Sequence, residues 1–302
     1  MRCVRKQSLC QGVAGKIHKD MRTTLGALRA MLAETMALRQ EEGRWVVTAD
    51  MATMMGFDTR REKGSSNVVG YEVKGVWAPF QALKDMDAKN LSVMLRKPVP
   101  HGVTANDMLE VLKTMRAKQT ESGTIIAPEP GLQQQVAQNA ATLAARRYRG
   151  KGIDLVVTPQ SSSQFAATFG AILAQLIGAK HVEEGVIKTR EGIVLAMPDH
   201  VKNTKTGQDA EKALQRWKDK LSRGETPSLR STFKPSIRQH VKGFMSVGNN
   251  MYDHVGEPRK VLVADDVVTT GSTHLESKRA LEEMGFQVVG MVAAFKEQSS
   301  SR

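Results

Sequence analysis

Apolar positions change period near the middle of the chain. Residues 21–43 place Leu25, Leu28, Met31, Leu32, Met36 and Leu38 at helical spacing. Residues 106–119 form a second amphipathic segment, with Thr104 or Asn106 able to cap it, and residues 131–150 a third, closed by basic residues and Gly150. Then the pattern turns to short β-branched runs: 153–160, 181–189, 242–247, 259–266 and 287–295. Helical stretches at 161–180 and 273–286 separate some of them, each opened by a polar turn. Residues 199–236 are polar and charged, and predict one exposed helix, about 208–222, inside a long mobile insertion of about 198–240.

Two domains are expected. Residues 1–120 would be a mainly helical, basic accessory domain. Residues 121–302 alternate helix and strand, which predicts an α/β fold with a doubly wound parallel sheet. Ligands of such sheets bind at the carboxyl ends of strands. The polar turns at 158–163 and 265–273 both fall at such ends.

The second turn carries the strongest chemical signal. In "VLVADDVVTTGST", Val261 to Thr273, a buried-type strand runs into two adjacent aspartates. Hydroxyls then surround one glycine and a helix begins. Backbone N–H groups at a helix start favour an anion. Gly271 permits close approach, and Thr269, Thr270, Ser272 and Thr273 add donors. This is neither a Walker A loop nor a GxGxxG loop. A bare phosphate cup has no use for carboxylates beside it. A sugar phosphate does, because Asp265 and Asp266 can accept from paired ribose hydroxyls and help place Mg2+.

Composition narrows the partners. The 302 residues carry 44 Lys plus Arg against 31 Asp plus Glu, a formal charge of +13. Residues 1–150 hold +9 of that excess and residues 151–302 hold +4. Such an excess suits polyanions: nucleic acid, nucleotides or pyrophosphate. Within the basic half, residues 47–64 have a helix–turn–helix flavour around Gly56, which competes with a plain helical pair filled by methionine. Aromatic residues are only 5%, which disfavours a base-stacking platform. Cys3 and Cys10 match no zinc spacing, and the histidines form no metal pair. With no apolar run of membrane length and no secretory h-region, a cytoplasmic protein is expected.

The segment Val261–Thr273 resembles the phosphoribosyl-pyrophosphate (PRPP) signature of the type I phosphoribosyltransferases, departing from it at Ala264, where a larger apolar residue is usual. The resemblance implies the type I phosphoribosyltransferase fold. It implies PRPP ribose contacts from Asp265 and Asp266, and 5-phosphate contacts from Thr269, Thr270, Gly271, Ser272 and Thr273. The family's pyrophosphate loop would be the first turn, with Ser161, Ser162 and Ser163. Arg238 and Lys242 would assist, with Lys202 and Lys205 as weaker candidates. Mg2+ would arrive with PRPP rather than sit in a protein cage. Over residues 237–295 the chain resembles the competence-protein (ComF-like) branch, although that branch's zinc-binding cysteines are absent.

The implied reaction is transfer of a 5-phosphoribosyl group to a nitrogenous acceptor with release of pyrophosphate. Thr269 stands where hypoxanthine–guanine members carry an aspartate, which argues against 6-oxopurine salvage. The residues name no general base. Acceptor recognition would fall to the N-terminal half or to a partner subunit, and a homodimer is expected. The competing expectation is a regulator that senses PRPP or a nucleotide without chemistry and binds nucleic acid through its basic half.

Overall fold

The computed structural model describes residues 38–41, 43–48, 70–82, 88–89, 99–161, 163–189, 192–225, 229–256 and 259–297. Strands β1 (Leu38–Glu41) and β2 (Arg44–Val47) form a hairpin. Next come β3 (Tyr71–Val73), β4 (Val76–Ala78) and β5 (Phe80–Ala82). Helix α1 (Ala105–Thr114), β6 (Lys118–Gln119), β7 (Ile125–Pro128) and α2 (Leu132–Tyr148) follow. Then β8 (Leu155–Pro159), α3 (Gln164–Ile177) and β9 (Lys180–Lys188) make one strand–helix–strand unit. After β10 (Val194–Leu195) lie α4 (Asp199–Lys202), α5 (Lys205–Ser222), α6 (Leu229–Thr232) and α7 (Pro235–Arg238). The chain continues through β11 (Val241–Lys242), β12 (Met245–Val247), a 3-10 turn (Asn249–His254), β13 (Lys260–Val268), α8 (Ser272–Glu283) and β14 (Gln287–Glu297).

The main sheet has the order β12-β9-β8-β13-β14-β4-β3, and β5 also pairs with β14. The contacts from β9 through β14 to β4 and β5 are parallel, and the outer pairs β12–β9 and β3–β4 are antiparallel. Alternate residues of the central strands feed opposite faces. Leu262, Ala264, Val292 and Ala294 pack with α2 and α3 in one core. Val261, Val263, Met291 and Ala293 join a second core with Leu281 of α8 and the helices between β10 and β11. Both faces are covered, so the central strands read as continuous apolar runs. Each fully buried side chain such as Leu262 or Val263 is worth about 2 kcal/mol. That burial holds the end of β13 in place against the repulsion of its two acids.

Of three sequence expectations, two change and one, the mainly helical reading of residues 1–120, falls mostly outside the described residues. Leu38–Glu41, read as the end of the 21–43 helix, is a strand, and its pairing with Arg44–Val47 around Gly43 (φ +79°) shows why. The β-branched pair Val46–Val47 beside a left-handed glycine favours a hairpin over a helix. The rest of that helix, most of the 47–64 segment and both cysteines lie outside the described residues.

Second, the described part of residues 1–120 holds six short strands and, among its longer elements, only α1 as a helix. β3–β5 extend the main sheet, and β1 and β2 join β7 and β6 in a smaller one. Strands of three residues carry too little periodicity to be read from sequence.

Third, the polar insertion is a packed set of helices. Ala210, Ala213 and Trp217 of α5 are buried, with Phe233 and Ile237 against them. The helix expected at about 208–222 is present as α5, and what the surrounding charges hid is its buried face. The β10–β11 ribbon closes the stem of this insertion. Among the described residues no helix is long and apolar enough to cross a membrane.

Candidate functional site

Strands β8 and β13 are parallel neighbours, so the turns that leave them lie at one edge of the sheet. Asp265 and Asp266, near the end of β13, are 8% and 7% exposed. The Asp265 Oδ1 atom accepts the Asp266 backbone N–H at 2.8 Å. Burial, reinforced by the neighbouring Asp266 charge, pushes the Asp265 carboxyl up to about 8. Asp266 has a counter-ion: its Oδ2 lies 2.6 Å from Nζ of Lys113, in the last turn of α1.

The turn after β13 opens α8 without a side-chain cap. Gly271 takes the N-cap position at φ +74° and its carbonyl accepts the Leu275 N–H at 3.0 Å. The hydroxyls of Thr270 and Ser272 are 2.9 Å apart, and Thr269 is exposed. The N–H groups of the first turn therefore face outward with hydroxyls around them, the arrangement that favours an anion. The β3–β4 hairpin packs against this turn. A Cβ on Gly271 would stand 3.5 Å from both Lys74 Cβ and the Val73 carbonyl oxygen. Lys74 itself holds φ +49°, a left-handed conformation costly for a side-chain-bearing residue. Its ammonium donates to Oε1 of Gln239 at 3.0 Å. The stem of Lys74 thus lies against the anion-favouring turn, with its ammonium held at Gln239.

The turn after β8 is closed on itself. Ser163 caps α3 by accepting the Phe165 N–H at 3.2 Å, while its hydroxyl donates to the Lys113 carbonyl at 2.9 Å. The Ser163 N–H donates to Oγ of Ser161 at 3.1 Å. The Gln160 N–H donates to the Val186 carbonyl at 2.7 Å, and its Oε1 accepts the Lys188 N–H at 3.3 Å. Ser162 lies outside the described residues. Lys113 thus touches both turns, through its carbonyl at one and its ammonium at the other.

The basic candidates of the insertion have other neighbours. Lys242 ends β11 with Nζ 3.5 Å from Oε1 of Glu276 in α8. Glu276 is 1% exposed, and its Oε2 accepts the Gly243 N–H at 2.6 Å and Nε of Arg279 at 3.1 Å. Gly243 sits at φ +75°, and a Cβ there would stand 2.5 Å from the Gly192 carbonyl oxygen. The basic, glycine-containing segment is therefore anchored to α8 by a buried carboxylate. Arg238 ends α7. Lys202 pairs with Asp199 at 2.8 Å on the surface, and Lys205 begins α5 exposed.

Sequence reasoning missed Lys113, Lys74, Glu276 and His274. Lysines on an amphipathic helix or in a hairpin turn look like solvated surface, and no spacing rule links residue 113 to residue 266. His274 is buried in the first turn of α8, its Nε2 3.4 Å from the Val292 carbonyl, and burial pulls it down to about 4. With the His274 imidazole uncharged, the ion pair that Asp266 makes is with the Lys113 ammonium.

No protein-family model matches the chain. Among solved structures, adenine phosphoribosyltransferase from Saccharomyces cerevisiae is 13% identical at TM-score 0.33, over 64% of this chain and 90% of that one. Adenine phosphoribosyltransferase from Thermoanaerobacter pseudethanolicus is 16% identical at TM-score 0.31, over 63% and 99%. A hypoxanthine phosphoribosyltransferase from Staphylococcus aureus is 12% identical at TM-score 0.27, over 56% and 68%. Likenesses this distant do not bear on what this chain binds.

Proposed function

We propose that the chain binds PRPP at this sheet edge and transfers its 5-phosphoribosyl group to a nitrogenous acceptor, releasing pyrophosphate. One observation carries the reading: two buried aspartates lie near the end of a strand that leads into a helix start without a side-chain cap and with a left-handed glycine. Acids beside an anion-favouring turn suit a ligand with both a diol and a phosphate. The PRPP-signature resemblance of Val261–Thr273 and the ComF-like resemblance of residues 237–295 agree with it.

In this reading Asp265 and Asp266 accept from the ribose 2- and 3-hydroxyls. Thr269 to Thr273 and the first N–H groups of α8 hold the 5-phosphate. Ser161, Ser162 and Ser163, with Arg238 and Lys242 from the insertion's end, face the diphosphate. The turn after β8 keeps the Ser163 hydroxyl in its hydrogen bonds to Lys113 and Phe165 and meets the diphosphate through its other donors. The acceptor nitrogen attacks C1 as the C1–O bond to diphosphate breaks, and positive charge develops on the sugar ring. The protein's work is to fix both ends of the substrate and to offset charge.

Mg2+ fits as a substrate-borne ion. Among the described residues no three His, Cys, Asp or Glu side chains gather to cage a metal. Asp265 and Asp266 supply hard oxygen ligands of the kind Mg2+ takes alongside phosphate and water oxygens. Asp265 and Asp266 would help hold such an ion when it arrives with PRPP, and it would offset charge on the diphosphate.

The test is incubation with PRPP, Mg2+ and a pooled set of nitrogenous bases. Pyrophosphate release with a matching nucleotide product is expected. PRPP binding by calorimetry with no release would favour the non-catalytic sensor. Absence of PRPP binding would overturn both.

A further inference from the structure

Residue 113 joins the two turns. Its carbonyl accepts the Ser163 hydroxyl at 2.9 Å, and its ammonium lies 2.6 Å from Asp266 Oδ2. The side chain therefore runs from the turn assigned to the diphosphate to the carboxylate assigned to the diol. Its side chain is 30% exposed, so a ligand can reach it, whereas the buried Asp266 side chain is 10% exposed and has little room to turn away.

We propose that Lys113 is a specificity-determining residue, one that makes the site prefer a ribose 5-phosphate bearing a C1 diphosphate over the same sugar phosphate without it. This deepens the PRPP reading and rests on it. A diol hydroxyl arriving at Asp266 competes for the oxygen the ammonium now holds. C1 is bonded to the carbon that carries the 2-hydroxyl, so a C1 substituent lies beside the displaced ammonium and towards Ser163. A diphosphate there gives the ammonium a new counter-ion. Ribose 5-phosphate offers none, and its binding costs the ion pair without replacement.

The experiment compares PRPP and ribose 5-phosphate, both with Mg2+, by calorimetry on the full chain. Lys113→Met keeps the apolar stem and removes the charge. In that variant ribose 5-phosphate should bind as well as or better than in the parent, and PRPP more weakly. The ratio of the two affinities should fall about tenfold or more. A ratio within about twofold of the parent's overturns the proposal.

A second measurement needs no variant. Amine acylation of the parent protein, read by mass spectrometry at Lys113, should speed up with ribose 5-phosphate and slow down with PRPP. The same response to both ligands overturns the proposal. If the parent binds neither ligand, the PRPP reading falls and takes this inference with it. If it binds both and the ratio holds in the variant, only the role of Lys113 falls.

Discussion

The turn after β8 and the turn after β13 leave neighbouring parallel strands at the same sheet edge, and both open a helix through small hydroxyl residues. They differ in what their polar atoms hold. Ser163 caps its own helix and donates its hydroxyl to the Lys113 carbonyl, and its N–H donates to the Ser161 hydroxyl oxygen. The turn after β13 has a glycine where the cap would be, an exposed Thr269 and two buried acids just upstream. A turn whose donors are met from within contributes to stability first. A turn with unmet N–H groups beside buried carboxylates is stable only because the strand behind it is fully packed. The contrast assigns ligand affinity mainly to the second turn and fold stability mainly to the first.

The largest effect should come from removing the acids. Asp265→Asn with Asp266→Asn removes both carboxyl groups that would receive the diol, including the carboxylate paired with Lys113, and PRPP affinity should drop roughly 100-fold or more by calorimetry. Unchanged affinity would break the contrast outright, since the second turn would then not be the ligand's seat.

The same pair sets a pH dependence. Burial raises Asp265 in the folded chain to about 8, above its ordinary carboxylate value. An acid raised by folding stabilises the fold fully below its unfolded pKa, near 4, and that contribution declines as pH rises and is gone above about 8. The opposite sign applies to His274: pulled down to about 4, it contributes above its ordinary value and loses that contribution as pH falls through about 4. Thermal melts from pH 6.5 to 9 isolate the aspartate. The parent should lose stability over that range, and Asp265→Asn should flatten the loss. An equal slope in both proteins would show that Asp265 ionises freely and is no buried acid.

Much of the sheet and the second turn were legible because they break or keep simple patterns. β8, β13 and β14 are β-branched runs too short and too apolar for surface helices. Asp265 and Asp266 interrupt such a run, and Gly271 sits where a helix must begin. The contacts that organise the site were not legible. Lys113 meets Asp266 only because α1 packs across the sheet edge, and Lys74 meets Gly271 only because a three-residue strand joins the far side of β14. Neither packing leaves a periodic trace. Trp217 was hidden for another reason: its helix is so charged that the narrow buried stripe read as solvated.

A single methyl group sharpens the second turn. Gly271→Ala puts a Cβ on a residue at φ +74°, with its nearest neighbours at 3.5 Å, an ordinary contact distance. Space is therefore not the obstacle. The cost is backbone strain of about 1–2 kcal/mol, or a shift of the turn away from that conformation. Chemical denaturation should show a loss of that size. If the turn shifts instead, stability holds and PRPP affinity falls, because the N–H groups no longer converge.

Ser163→Ala makes the matching change in the first turn and should have the smallest effect. It removes the acceptor for the Phe165 N–H and the donor to the Lys113 carbonyl. Loss of an N-cap of this kind costs about 1 kcal/mol, read as a lower denaturation midpoint. PRPP affinity should change far less than in the aspartate variant, since the hydroxyl is already committed to the protein. It could even rise slightly, because α1 would lose one of its two ties to the site and Lys113 would move more freely to a diphosphate. An affinity loss as large as that of the aspartate pair would mean that Ser163 turns its hydroxyl to the ligand on binding, and the two turns would then share the ligand equally.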